Sequence, residues 1–415
     1  MTNRFLQISL ACLVAGIFAS APAQAKEPKL ESTDIMIPSG DAGIQLFVRN
    51  KHLAGKESSP DKILLFVHGA TYPAETAFDL PIEGVSMMDL IASRGYDVYL
   101  VDVRGYGRST RPPEMSQPPA ANKPLVSTQV AAHDLGAAVD YILKKRKVFK
   151  INVMGWSWGT SISGLYTSGH NDKVSKLVLY APQWIRNEPP APVAANAPPM
   201  GAYRLVSKES AKARWLKGVA ADKQADLIPP GVFDAWADAT WATDPESSKH
   251  NPPMLRAANA PPLGAYRLVS KDSAKARWLK GVAEDKQAAL IPPGVFDAWA
   301  DATWATDPES TKQSPAMLRA PNGVFDDNLK YWSAGKAQYD PGKITVPTLL
   351  LHAEWDADLP SYLAQNYFAQ LKNTPYKRLV ELSEGTHTVM MEKNRMQFFH
   401  ELMGFLDEEK PLALK

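Results

Sequence analysis

Gly155-Trp156-Ser157-Trp158-Gly159 is the stretch on which the reading of this chain turns. Residues 150–154 before it, Lys-Ile-Asn-Val-Met, read as a short, buried strand; residues 160–168 after it read as a helix that opens on small side chains. A Gly-x-Ser-x-Gly at a strand-to-helix junction makes a tight turn that lifts a serine hydroxyl clear of the sheet. The backbone at the serine is strained, and a Cβ at either flanking position would meet the neighbouring strand or helix. The pentapeptide alone is only moderately specific, so its weight depends on what the rest of the chain supplies, and in which order.

The chain has 415 residues, 45% of them hydrophobic, with 11 tryptophans, enough for one large core or two ordinary ones. A formal net charge of +2 provides no basic field for nucleic acid and no acidic tail. The 34 prolines concentrate in the 110s and between about 189 and 320, where loops and cap-like segments are expected. Residues 1–25 read as a cleaved signal peptide: Arg4 is followed by an apolar stretch over 5–18 and the small-x-small site Ala23-Gln24-Ala25. A membrane anchor needs roughly 20 apolar residues; this run is shorter and breaks at Pro22. The expectation is a periplasmic or secreted protein with no stable membrane anchor. Its only cysteine, Cys12, lies inside that segment. The mature chain then offers no disulfide, thiolate nucleophile or cysteine-ligated metal.

From residue 62 onward, apolar runs alternate with helical stretches. Strands are expected at 63–67, 98–101, 152–154, 177–180, 348–351 and 377–381. Helices are expected at 84–94, 128–146, 361–371 and 392–406. Short apolar runs alternating with helices predict an α/β fold with a mostly parallel sheet covered on both faces. The alternation is interrupted by a direct repeat. Residues 196–258 and 259–321 align without gaps and are identical at 54 of 63 positions. Two copies are too few for a solenoid, which needs about three or more, so a tandem duplication of one helical insert is expected. Its helices should cover 207–219, 232–241, 270–282 and 295–304. One copy should dock as a cap, while the other packs outside it or exchanges with another protomer. The resulting boundaries are 1–25 signal peptide, 26–182 and 324–415 core, and 183–323 cap.

A serine hydroxyl needs a base within hydrogen-bond reach, and that base needs an orienting acid. Downstream of Ser157, Asp356 follows the strand at 348–351 and His387 follows the last strand. Ser, Asp, His is the chain order expected behind such a turn. Ser157, Asp356 and His387 are therefore the candidate nucleophile, orienting acid and base, with Glu354 and Asp358 as rivals for the acid. An oxyanion hole needs two backbone N–H donors; Trp158 offers one, and Ala70, in the turn His68-Gly69-Ala70-Thr71, the other. Trp156 and Thr71 are candidate substrate contacts. His68 reads as a loop brace, and Asp102 and Arg104 as braces of the floor. The other histidines (His52, His133, His170, His250, His352 and His400) are scattered, and no two are spaced at i, i+3 or i+4, so neither a metal nor another cofactor is expected. The tryptophans of the repeat (Trp215, Trp236, Trp241, Trp278, Trp299 and Trp304) form the insert's own core or line a gorge.

On His68-Gly69, the Asp102-Val103-Arg104-Gly105-Tyr106-Gly107-Arg108-Ser109 loop, residues 155–159, Asp356 and His387, the chain resembles the α/β-hydrolases. The resemblance covers about 40–182 and 324–410, with the repeat where that family places its cap. It implies a serine hydrolase that cleaves carboxylic esters through an acyl-enzyme, with a small-molecule ester as its partner. Gly-x-Ser-Trp-Gly is also similar to the proline iminopeptidase branch, which implies an aminopeptidase or amidase as the alternative. That branch carries a His-Gly-Gly-Pro-Gly loop where this chain has Ala70 and Thr71. A peptidase would need acidic groups for the substrate amine; Glu188, Asp234 and Asp297 are the candidates.

Overall fold

Three strands in which every residue is buried form the middle of the molecule: β3 (Ile63–Val67), β4 (Asp97–Val101) and β5 (Ile151–Trp156). Such unbroken apolar runs suit a parallel sheet with both faces covered. The computed structural model describes residues 29–186 and 263–408. Between them it describes strands β7 (Tyr203–Ser207) and β8 (Met254–Ala258) and a few helical positions. The expected signal peptide, Cys12, Glu188, His250, Trp215, Trp236, Trp241 and most of the helices at 207–219 and 232–241 lie outside the described residues.

The remaining strands of the main sheet are β1 (Leu30–Pro38), β2 (Gln45–Leu53), β6 (Val174–Tyr180), β11 (Thr348–Ala353) and β12 (Lys377–Leu382). The order is β1-β2-β4-β3-β5-β6-β11-β12. β1 and β2 run antiparallel, and every pair from β4 to β12 is parallel. Helices Thr128–Arg146 and Ser361–Gln370 pack on one face with Trp158–Gly169. Met87–Ala92 and Arg395–Asp407 pack together on the other.

The structure adds β1 and β2 to the expected strands. β1 is exposed along most of its length, so it lacks the continuous apolar run that marks the central strands. The helix expected at 84–94 shrinks to Met87–Ala92, because Glu83 and Gly84 adopt positive φ and Ser86 with Asp89 forms a capping box. In the other direction, the helix after the elbow starts at Trp158, with no intervening loop.

Between β6 and β11 the described part of the insert holds β9 (Tyr266–Ser270) and β10 (Met317–Pro321) as an antiparallel pair. Helices Lys271–Trp278, Glu284–Leu290 and Val295–Ala305 lie between them. The described insert is mostly helical, as the sequence suggests, with one strand pair added. The Tyr-Arg-Leu-Val run of β9 is aromatic and β-branched, and its ends stitch the insert to the core. Ala265 N–H donates to Pro119 O (2.8 Å), Gly323 N–H to Leu125 O (2.7 Å), and the Tyr266 hydroxyl to Gln117 O (2.9 Å). The described helices contain none long and apolar enough to cross a membrane.

Candidate active site

Ser157 sits between β5 and its helix with φ +56° and ψ −122°, in a region that only an over-determined backbone holds for a non-glycine residue. The flanking glycines explain how the turn closes. A Cβ on Gly155 would lie 2.2 Å from the carbonyl oxygen of Gly159, and one on Gly159 would lie 2.5 Å from that of Val67. The next loop over, after β3, approaches just as closely. A Cβ on Gly69 would stand 3.1 Å from the Ser157 Cβ. The turns after β3, β5, β11 and β12 thus meet at the carboxyl ends of the parallel strands, where open α/β sheets place their ligands.

Asp356 and His387 come together there: His387 Nδ1 and Asp356 Oδ2 are 2.7 Å apart, and both side chains are nearly buried. The other oxygen of Asp356 accepts N–H groups from Asp358 (3.0 Å) and Leu359 (2.9 Å), which leaves the carboxylate one orientation. Of the rivals, Glu354 turns away to accept the Glu384 N–H (2.9 Å). Asp358 is taken by Arg277 Nε (2.5 Å) and Lys280 Nζ (2.9 Å). Asp358 is partly buried, but the charge of Arg277 and its bonds to the two cations hold its carboxyl down at about 2. His387 and Ser157 line one cavity together with Trp156, Thr71, Ala70 and Gly69.

Ala70 and Thr71 both line that cavity, and Thr71 also accepts hydrogen bonds from two arginines of the insert, Arg267 (2.8 Å) and Arg277 (3.3 Å). The Trp158 side chain points into the core, where its indole donates to Thr128 Oγ1 (2.8 Å), so only its backbone N–H can serve the cavity. His68 is fully buried. Its Nε2 accepts the Val103 N–H (3.1 Å), which leaves Nδ1 to donate to the Gly69 carbonyl (2.7 Å). Burial pulls its pKa down to about 4, so it stays neutral. In a trans peptide the N–H points opposite to the carbonyl. With Gly69 O tied to His68, the Ala70 N–H faces away from that ring. Asp102 accepts the N–H groups of Ala74 (2.7 Å) and Arg108 (3.1 Å), and burial raises its pKa to about 6.

One residue read as a substrate contact has a second role, and one contributor went unseen in the sequence. The Trp156 indole donates to the His387 carbonyl (2.9 Å), fixing the turn that carries the imidazole. Glu392, wholly buried, collects the Thr386 N–H (2.9 Å), the Thr386 hydroxyl, the Thr388 hydroxyl (2.9 Å) and the Trp278 indole (2.8 Å). Burial raises its pKa, with the four hydrogen bonds opposing. A Thr-x-Thr pair astride His387, followed by a lone acid in an apolar stretch, was the available signal.

The insert supplies the rest of the cavity through Ala274, Arg277, Trp278 and Trp299. Trp304 packs in the insert's own core, its indole donating to Ala316 O (3.1 Å). Asp234 and Asp297 are exposed and do not face the cavity.

The family model described as alpha/beta hydrolase fold matches residues 62–213. No curated relative matches the sequence. Among solved structures, a serine hydrolase from the polyaromatic-hydrocarbon-degrading bacterium Cycloclasticus zankles is similar, at 15% identity and a TM-score of 0.50. The match covers 91% of this chain and 98% of that one. The proline iminopeptidase of Mycobacterium smegmatis is similar at 16% identity and a TM-score of 0.51, covering 90% of this chain and 98% of that one. Sheet order, the strained turn at Ser157 and these matches show that the chain has the α/β-hydrolase fold.

Proposed function

We propose that the protein is a serine hydrolase that cleaves carboxylic esters. The observation that carries this is the convergence of Ser157, on a strained turn, with the hydrogen-bonded pair His387–Asp356 in one cavity. Ser157 Oγ attacks the ester carbonyl as His387 takes its proton, and the tetrahedral oxyanion is held by the N–H groups of Trp158 and Ala70. His387 returns the proton to the departing alcohol. Water, activated by the same imidazole, then releases the acid. Asp356 fixes the tautomer and stabilises the imidazolium. The region at 183–323 acts as a cap that closes an aromatic cavity over the ester, and residues 1–25 direct the chain to the periplasm or outside the cell.

Charge separates ester from amine chemistry. An aminopeptidase must hold a substrate ammonium, but the acid nearest the site, Asp358, already accepts Arg277 and Lys280. Asp297 and Asp234 are exposed. A panel of 4-nitrophenyl esters run beside proline β-naphthylamide tests this. Ester turnover that disappears in Ser157→Ala is the expected outcome. Faster cleavage of the naphthylamide than of every ester would overturn the ester reading.

A further inference from the structure

A second opening leads to Ser157 and differs in chemistry from the aromatic cavity. It shares Ala70, Ser157, Arg277 and Asp358 with that cavity and adds Arg186 and Lys280. Three cations therefore stand around one carboxylate, and that carboxylate is engaged by two of them. Among the described residues, the Arg186 side chain donates only to a backbone oxygen, the carbonyl of Asp358 at 3.3 Å.

A fourth cation lies behind the wall. Arg267 has no carboxylate within ion-pair distance among the described residues. Its guanidinium donates to Pro321 O (2.6 Å), Ala70 O (2.6 Å) and Thr71 Oγ1 (2.8 Å) and stacks on Phe325 (4.5 Å). Burial lowers its pKa to about 10, which still leaves it charged at neutral pH. The remaining acid of the site, Asp356, is bonded to His387. Buried cations without counter-ions are unfavourable, and a cleft with one sign of charge and low-dielectric walls concentrates ligands of the other sign.

His387 decides which half of an ester enters this opening. The departing alcohol oxygen must reach the imidazole, and His387 lines the aromatic cavity with Trp156, Trp278 and Trp299 but is absent from the cationic opening. The alcohol half therefore belongs with the tryptophans, and the acyl half extends toward Arg186 and Lys280.

We infer that the preferred substrate is a monoester of a dicarboxylic acid: an aromatic or apolar alcohol esterified to an acyl chain that ends in a free carboxylate. This rests on the esterase reading above. Ser157 displaces the alcohol, which leaves with the serine proton by way of His387. Water then cleaves the acyl-enzyme to give the dicarboxylate, one proton and free Ser157.

The test compares mono-4-nitrophenyl adipate with its neutral near-isostere, 4-nitrophenyl 6-methylheptanoate. A parallel pair carries the charge on the alcohol instead: 4-carboxyphenyl and 4-carbamoylphenyl hexanoate. The adipate should be favoured in kcat/KM by about fivefold, the worth of one partly screened ion pair. That ratio should fall toward one in Arg186→Met, and also as salt is raised from 0.01 to 0.5 M. Because each ratio is taken within one protein, loss of folded enzyme in the variant cancels. A ratio at or below one in the native chain, a ratio unchanged by Arg186→Met, or a preference confined to the alcohol-side pair would overturn the inference. If the neutral ester is cleaved without any preference, the anion site fails and the esterase reading survives. If neither ester of the first pair is cleaved, both fall.

Discussion

Glu392 has no charge partner among the described residues, yet its buried carboxyl gathers both threonines beside His387 and the indole of Trp278 from the insert. Removing it leaves those donors without an acceptor, at roughly 1–3 kcal/mol for each buried group. Glu392→Ala should therefore lower kcat at least tenfold, with a much smaller change in KM for 4-nitrophenyl butyrate. Full activity in a folded variant, checked by circular dichroism, would mean that Glu392 only packs. Gly159 makes a stricter demand, since any Cβ there meets the Val67 carbonyl at 2.5 Å. Gly159→Ala should cost about 2–4 kcal/mol of stability, seen as a drop in thermal midpoint; an unchanged midpoint would contradict the geometry of the turn. At this scale the glycines, the serine and the histidine were legible, because each has a stereochemical reason that local sequence exposes. Asp356 was the first choice for the acid, but the sequence did not exclude Glu354 and Asp358. The choice depends on which carboxylate the turn after β11 aims at His387, and only the cross-chain bonds of the other two exclude them.

The elements that were readable in advance are those with a single unambiguous pattern. β3, β4 and β5 are continuous apolar runs, and the helix Thr128–Arg146 begins where its pattern does. β1 is solvated along most of its length, and β9 is only half-buried, so neither offered such a run. The pairing of the insert strands carries its own lesson. β9 pairs with β10 from Tyr266↔Pro321 to Ser270↔Met317, and β7 pairs with β8 in the same register, from Tyr203↔Ala258 to Ser207↔Met254. In each copy the first strand returns to the last, which brings Tyr203 beside Ala258 and Tyr266 beside Pro321. Among the described residues, the copy at 259–321 supplies Arg277, Trp278 and Trp299 to the cavity. Deleting residues 196–258 should then leave kcat/KM for a 4-nitrophenyl ester within about threefold, which is roughly 0.7 kcal/mol in transition-state binding. An insoluble or inactive product would mean that both copies are integral to the fold.

On the scale of the whole molecule, the insert is tied to the core by the backbone bonds at its strand ends and, around the cavity, by charged contacts of Arg277 and Lys280 on Asp358. Asp358 titrates near 2 in the folded chain against an ordinary 3.8. A carboxyl lowered by folding contributes stability that is full above about pH 4 and is lost as pH falls through about 2, amounting to about 2 kcal/mol for a shift of this size. Chemical denaturation at pH 5 and pH 2.5 should show that loss, and Asp358→Asn should show less of it; an identical pH dependence in the variant would remove Asp358 from the account. The expectation of a mostly parallel sheet followed from the alternation of strands and helices. The charge around the cavity did not, because Arg186, Arg267, Arg277 and Lys280 gather only once the insert folds back over the loops after β3 and β11. All of these readings depend on one hydroxyl, that of Ser157. Incubating the protein with a fluorophosphonate and mapping the adduct by peptide mass spectrometry tests it directly. The account predicts stoichiometric modification of Ser157 and no labelling of Ser157→Ala, whereas an adduct on another residue, or equal labelling of the variant, would contradict it.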